Sequence, residues 1–81
     1  MDTRVAVISI IVENPDATTP LNALLHEYSK WVIGRMGIPY RDKNISIICI
    51  AVDAPQDVIN TLTGGIGKLD GVSAKAAYSK K

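Results

Sequence analysis

The sequence predicts a small α+β domain with a ferredoxin-like βαββαβ sandwich, in which both helices cover one face of a four-stranded antiparallel sheet. The first observation is the order of the predicted elements, which is strand, helix, strand, strand, helix, strand, as in this fold. The second is that residues 5–12 (VAVISIIV) and 45–52 (ISIICIAV) are apolar on both sides, whereas a half-buried strand alternates apolar and polar side chains. The third is the length of 81 residues, which makes residues 1–81 one domain with helices for one sheet face only.

The first half of the chain contains one strand, one helix and a second, weaker strand. Strand one covers residues 4–13, and the turn-forming residues at 14–17 end it. Thr19 followed by Pro20 predicts a helix start, with Thr as N-cap and Pro as the first helical residue. Residues 31–40 contain two glycines and a proline, which is typical of an edge strand. The helix has a buried stripe at helical spacing, formed by Leu21, Leu24, Leu25, Tyr28 and Val32.

The second half repeats this arrangement. Polar residues 41–44 lead into strand three at 45–53, and Pro55 begins the second helix. Asp70 and Gly71 end that helix, and strand four follows at 72–79. Right-handed crossovers then put both helices on one face and give the strand order 4-1-3-2, with the two-faced apolar strands in the centre.

The helix-free face of this sheet is predicted to be an oligomer interface, because a lone soluble domain rarely exposes a large apolar patch. The even-numbered side chains of strands one and three are bulkier and are assigned to the helix-covered core. The odd-numbered set then faces a second copy of the chain, as a dimer or tetramer. It consists of Val7, Ser9, Ile11, Ile47, Cys49 and Ala51, and Ala77 extends it.

Composition excludes several classes of function. Nine Lys and Arg against eight Asp and Glu give a net charge of +1, so direct nucleic acid binding is not expected. The single cysteine, Cys49, rules out an internal disulfide and fits a reducing compartment. Because neither a secretion signal nor a membrane-length apolar run is present, the expected location is the cytoplasm, with no membrane contact.

No catalytic, metal or cofactor site is predicted. His26 is the only histidine, and neither nucleophilic catalysis nor metal binding is built on one histidine without partners. The glycine-rich residues 63–69 fail as a phosphate loop, because Leu62 and Leu69 stand where Gly and Ser or Thr are needed. His26 is interpreted as solvated and Cys49 as a small buried hydrophobe, and a role for either at a subunit interface stays open.

The turn between strand one and helix one is the predicted ligand site. Asn14, Asp16, Thr18 and Thr19 supply short polar groups there, and the helix start supplies free N–H donors for a carboxylate. Asp16 could accept an ammonium group, so a small amino acid is the effector that fits. The alternative is that these residues only cap the helix.

Several segments resemble one family, the small regulators of the iron-only hydrogenase system, over essentially the whole chain. The most specific is residues 33–40, and the others are residues 4–9, 25–28, 53–55 and 69–73. The resemblance implies an ACT-like domain with a regulatory function. The fold also resembles the effector domain of the nickel-responsive repressor. Met36, Ile38 and Asn44 occupy the places of its ligands, and none is a good nickel ligand. The repressor's DNA-binding segment has no counterpart, so neither nickel nor DNA binding is expected.

Two functions remain. The first is a regulatory, effector-binding and oligomerisation module associated with the iron-only hydrogenase system, which is not an enzyme. The alternative is an accessory or enzyme subunit whose site forms only between subunits.

Overall fold

The computed structural model describes residues 2–80 and contains the predicted βαββαβ order. All strand pairs are antiparallel, and the sheet order β2-β3-β1-β4 is the predicted order 4-1-3-2. The central strands are therefore the two that are apolar on both sides. The elements are β1 (Arg4–Val12), α1 (Thr18–Glu27), β2 (Val32–Tyr40), β3 (Ile45–Ala54), α2 (Gln56–Gly67) and β4 (Val72–Tyr78).

The core lies on one face of the sheet, between the strands and both helices. Even-numbered apolar side chains of β1 and β3 are buried together with Leu21 and Leu25 of α1 and with Ile59, Leu62 and Ile66 of α2. Since both helices contribute to this one cluster, both cover the same face, as predicted. The buried strand residues are Ala6, Ile8, Ile10, Val12, Ile48, Ile50, Val52, Ala54 and Val72.

The start of α1 differs from the prediction. Thr19 is not its N-cap, because α1 begins at Thr18 with Ala17 in the N-cap position and without a side-chain capping bond. A short 3-10 turn, Pro15–Ala17, comes first, and Asn14 caps that turn by accepting the Asp16 backbone N–H at 3.1 Å. Pro20 still lies in the first helical turn, where a missing N–H costs no hydrogen bond.

A contact with the far end of the chain holds this turn. The Glu13 backbone N–H donates to the Gly71 carbonyl oxygen at 2.7 Å. Gly71 has φ +73°, and a Cβ there would collide with Asn14. Glycine is therefore needed both for the backbone conformation and for the close approach.

β2 is an edge strand, as its glycines and proline predict. It begins at Val32, because Trp31 belongs to a 3-10 turn, Ser29–Trp31, and packs against the core. A register shift between Val32 and Gly34 leaves Ile33 without a partner on β3 and 63% exposed. Beyond this irregularity, β2 pairs regularly with β3 as far as Tyr40 opposite Ile45.

Candidate functional site

The helix-free side of the sheet, called the open face below, brings together the residues predicted for the oligomer interface. In the register, Val7 lies between Ala51 and Ala77, and Ile11 lies between Ile47 and Ser73. Ser9 likewise lies between Cys49 and Lys75. Paired residues share a face of the sheet, so the predicted set forms one surface. Val7 is 42% and Ile11 41% exposed, which is unusual for large apolar side chains in central strands.

β2 adds residues to the open face, and sequence reasoning missed Met36 and Ile38 among them. Met36 lies opposite Cys49, Ile38 opposite Ile47 and Tyr40 opposite Ile45. Met36 is 55% exposed. The sequence does contain a sign of this, because Met36, Ile38 and Tyr40 alternate along the strand. The glycines and Pro39 make that alternation hard to recognise. The apolar surface therefore extends from the central strands to the β2 edge.

Charge is confined to the margins of the open face. Of the strand residues that point this way, Asp53 near the end of β3 and Lys75 on the edge strand β4 are charged. The strands contain seven to ten residues, so the face measures about 20 by 25 Å, or roughly 500 Å² before side-chain relief. A standard protein interface buries roughly 800 Å² per partner, and the flat area of the open face alone amounts to somewhat more than half of that.

The predicted ligand residues lie at the β1–α1 turn but do not line one cavity. Asn14 is half-buried, and its side-chain oxygen already accepts the Asp16 N–H. Asp16, Thr18 and Thr19 are exposed, and their side chains make no hydrogen bond within the described chain. Of the four, Thr18 alone borders the adjacent cavity of about 130 Å³. Its opposite wall comes from the β2–β3 connection, which contributes Tyr40, Arg41 and Asn44.

A larger cavity, of about 310 Å³, lies between α1 and β2 on the helix-covered side of the sheet. Its floor is apolar and consists of Leu25, Val32 and Ile50. Its rim is polar, and two of its side chains are joined, since Arg35 Nη2 donates to Asn22 Oδ1 at 2.8 Å. The remaining rim residues are His26 and Ser29. We call it the α1–β2 cavity.

The other residues considered from the sequence lie apart from one another. His26 is exposed on α1, and Cys49 is partly exposed on the open face rather than buried. Met36 and Ile38 lie on the open face, and Asn44 lies in the β2–β3 turn with φ 55°. Residues 63–69 form the end of α2, which stops at Gly67, so they end a helix rather than start one.

Among residues 2–80, no group of three His, Cys, Asp or Glu side chains is placed to hold a metal ion. Within the same residues, neither helix has the length and hydrophobicity that a membrane crossing requires.

Comparison with solved structures gives a match that spans both chains. The uncharacterized protein TM1266 from Thermotoga maritima superimposes with a TM-score of 0.94 at 31% identity, over 98% of this chain and 100% of that one. No curated protein sequence matches the chain.

Two more distant structures share the fold alone. The C-terminal domain of the MgtC protein from Mycobacterium tuberculosis has a TM-score of 0.71 at 15% identity, over 96% of this chain and 89% of that one. A formyltetrahydrofolate deformylase from Pseudomonas putida KT2440 has a TM-score of 0.68 at 12% identity, over 95% of this chain and 29% of that one. The fold thus occurs both as a small domain and as part of a larger enzyme.

A family model matches residues 4–76 and has the description "TM1266-like: Iron-only hydrogenase system regulator, putative". The match extends from the first residue of β1 into β4, so it includes both helices, three complete strands and most of the fourth. It agrees with the resemblance found in the sequence, and the chain belongs to the TM1266-like family.

Proposed function

We propose that this protein is a regulatory module that forms a homo-oligomer through its open face and binds a small effector at the β1–α1 turn. The family description supports regulation rather than catalysis. The observation that supports assembly is the apolar open face, on which Val7, Ile11, Met36, Ile38 and Tyr40 are all exposed.

A second copy of the chain is the occupant that suits this face. The face has no single protruding side chain at its centre, because small residues such as Ser9, Cys49 and Ala51 lie among the larger ones. A two-fold axis through its centre sets apolar side chains against apolar side chains and leaves Asp53 and Lys75 near the margins. A charged partner would gain nothing from such a surface, whereas an identical one buries two apolar faces at once.

Sedimentation of Ile47→Asp tests the assembly. A buried carboxylate without a partner costs several kcal/mol at an apolar interface, so this variant is expected to be monomeric where the parent chain is oligomeric. Ala23→Asp places the same charge on the exposed surface of α1 and is expected to remain oligomeric. A parent chain that sediments as a monomer at high concentration refutes the proposal, and so does an Ile47→Asp oligomer.

The effector part of the proposal rests on the exposed polar groups of the turn. The side-chain oxygens of Asp16, Thr18 and Thr19 make no hydrogen bond within residues 2–80, and the first N–H groups of α1 lie beside them. Arg41 faces Thr18 across the smaller cavity and adds a positive charge for a carboxylate. A small amino acid matches these groups, with its ammonium group near Asp16.

Thermal unfolding with a panel of amino acids tests this part. A binding amino acid raises the melting temperature of the parent chain, and Asp16→Ala is expected to abolish that rise. Asp57→Ala, in the first turn of α2 at the opposite end of β1, is expected to keep it. If the parent chain shows no rise with any amino acid, the effector part is wrong and the assembly part stands separately.

A further inference from the structure

The α1–β2 cavity lies outside everything assigned so far. We infer that it binds a small organic acid, whose carboxylate pairs with Arg35 and whose apolar body contacts Leu25, Val32 and Ile50. This inference does not depend on the proposed assembly or on the effector of the β1–α1 turn.

The helix-covered side of β2 next to the cavity carries few side chains that pack against α1. Gly37 lies on this side, since it pairs with Ile48 of the core. A Cβ built on Gly37 meets no atom within 4 Å, so this stretch of the strand is open. The neighbouring residue on the same side, Arg35, pairs with Ile50 and reaches toward α1 instead of covering the strand.

Arg35 is oriented but not neutralised. One of its N–H groups donates to Asn22 Oδ1 at 2.8 Å, and this bond holds the guanidinium at the rim. The other N–H groups have no partner in the described chain. A planar guanidinium with free donors beside an apolar wall favours a carboxylate, which it can bind through two parallel hydrogen bonds.

The remaining lining residues select the class of ligand. His26 and Ser29 offer further donors at the rim. Among the described residues, no Asp or Glu lines the cavity, so an ammonium group would have no countercharge there. The site therefore favours a simple acid over an amino acid, whereas the β1–α1 turn, with Asp16, favours the amino acid.

The position of the cavity keeps it accessible in an oligomer. Arg35 and Ile50 point to the helix-covered side, whereas Met36 and Cys49, their neighbours in sequence, point to the open face. Pairing of two open faces leaves the α1–β2 cavity exposed. The site is complete in one chain and needs no residue from a partner.

A titration followed by ¹H–¹⁵N NMR tests the inference on the full chain, with benzoate and 4-methylpentanoate as probes and benzamide as the uncharged counterpart. We expect saturable shifts of the Asn22, Ser29 and Arg35 amide signals with both acids, and none with benzamide. Arg35→Gln is expected to weaken acid binding at least tenfold, which corresponds to about 1.4 kcal/mol. Arg35→Lys keeps the charge and is expected to bind with intermediate affinity.

Lys68→Gln is the matched control, because Lys68 is exposed at the end of α2 and lines neither the α1–β2 cavity nor the smaller one. Its affinity for the acids is expected to equal that of the parent chain, and the spectrum of each variant shows whether it is folded. The inference is overturned if neither acid binds, if benzamide binds equally well, or if Arg35→Gln binds as the parent does. Shifts around Thr18 in place of those at Asn22 and Ser29 would also overturn it and would assign the acids to the smaller cavity.

Discussion

Asn14 and Gly71 determine the geometry of the β1–α1 turn. Asn14 caps the 3-10 turn Pro15–Ala17, and its Cβ occupies the space that a side chain at Gly71 would need. The sequence predicted a helix that begins directly at a Thr19 cap, and it did not predict the 3-10 turn that precedes α1. A polar residue before a helix cannot reveal from sequence which backbone N–H it will reach, because a distant contact, Glu13 to Gly71, sets the direction of the chain there.

Replacing Gly71 by Ala is expected to destabilise the chain by about 2–3 kcal/mol. Part of this cost is the left-handed backbone at φ +73°, and part is the collision with Asn14, which the Glu13–Gly71 hydrogen bond prevents from relaxing. Urea unfolding followed by circular dichroism measures the loss.

The control for this variant is Gly64→Ala in α2. A Cβ at Gly64 meets nothing within 4 Å, and alanine favours a helix over glycine, so this change is expected to stabilise the chain by about 0.5–1 kcal/mol. If both variants had equal stability, the turn would not be under the constraint that the backbone shows.

The elements were predictable to different degrees. β1 and β3 were placed in the centre of the sheet because they are apolar on both sides, and the bulk of Ile8, Ile10, Ile48 and Ile50 identified the buried side correctly. β2 was recognised as an edge strand by its glycines and Pro39. Its share of the open face was missed because strand alternation is difficult to recognise where half the positions lack an apolar side chain.

The α1–β2 cavity was not predictable in the same way. His26 was correctly interpreted as solvated, but its place beside Arg35 at the rim of one cavity depends on how β2 lies against α1. The bond between Arg35 and Asn22 joins two elements, and no spacing within either element indicates it.

A new carboxylate on β2 is expected to affect assembly differently at two neighbouring positions. Met36 points to the open face, opposite Cys49, and Gly37 points to the helix-covered side, opposite Ile48. Met36→Glu is expected to weaken assembly, because its carboxylate enters an apolar interface. Gly37→Glu puts the same carboxylate into open solvent and is expected to leave the oligomer intact.

The concentration dependence of sedimentation measures both variants. If the two substitutions weakened assembly equally, β2 would contribute to assembly through its strand edge rather than through the side chains of one face. In that case the β2 part of the open face would lie outside the interface.

At the scale of the whole molecule, the two sides of the sheet differ in what covers them. The even-numbered side is closed by α1 and α2 and provides the core of a domain of 81 residues. Such a short chain buries a modest fraction of its surface, so pairing of the open faces would stabilise the fold as well as assemble it. The two cavities described above lie toward the helix-covered side of the sheet or its end, so ligand binding at either of them would leave the open face available for assembly.

The reactivity of the Cys49 thiol measures whether the open face is covered. It lies on β3 between Ser9 and Met36, near the middle of the open face, and is partly exposed in the single chain. Pairing of two open faces would cover it, so its rate of reaction with a thiol reagent such as DTNB is expected to fall severalfold as protein concentration rises through the dissociation constant. Ile47→Asp keeps the thiol and removes the pairing, so its rate is expected to stay constant and equal to that of the dilute parent chain. Unfolded protein should react fast at every concentration, which separates protection by assembly from protection by folding. A parent rate that does not change with concentration, in a sample that sediments as an oligomer, would mean that the chain assembles through another surface and that the open face remains exposed to solvent.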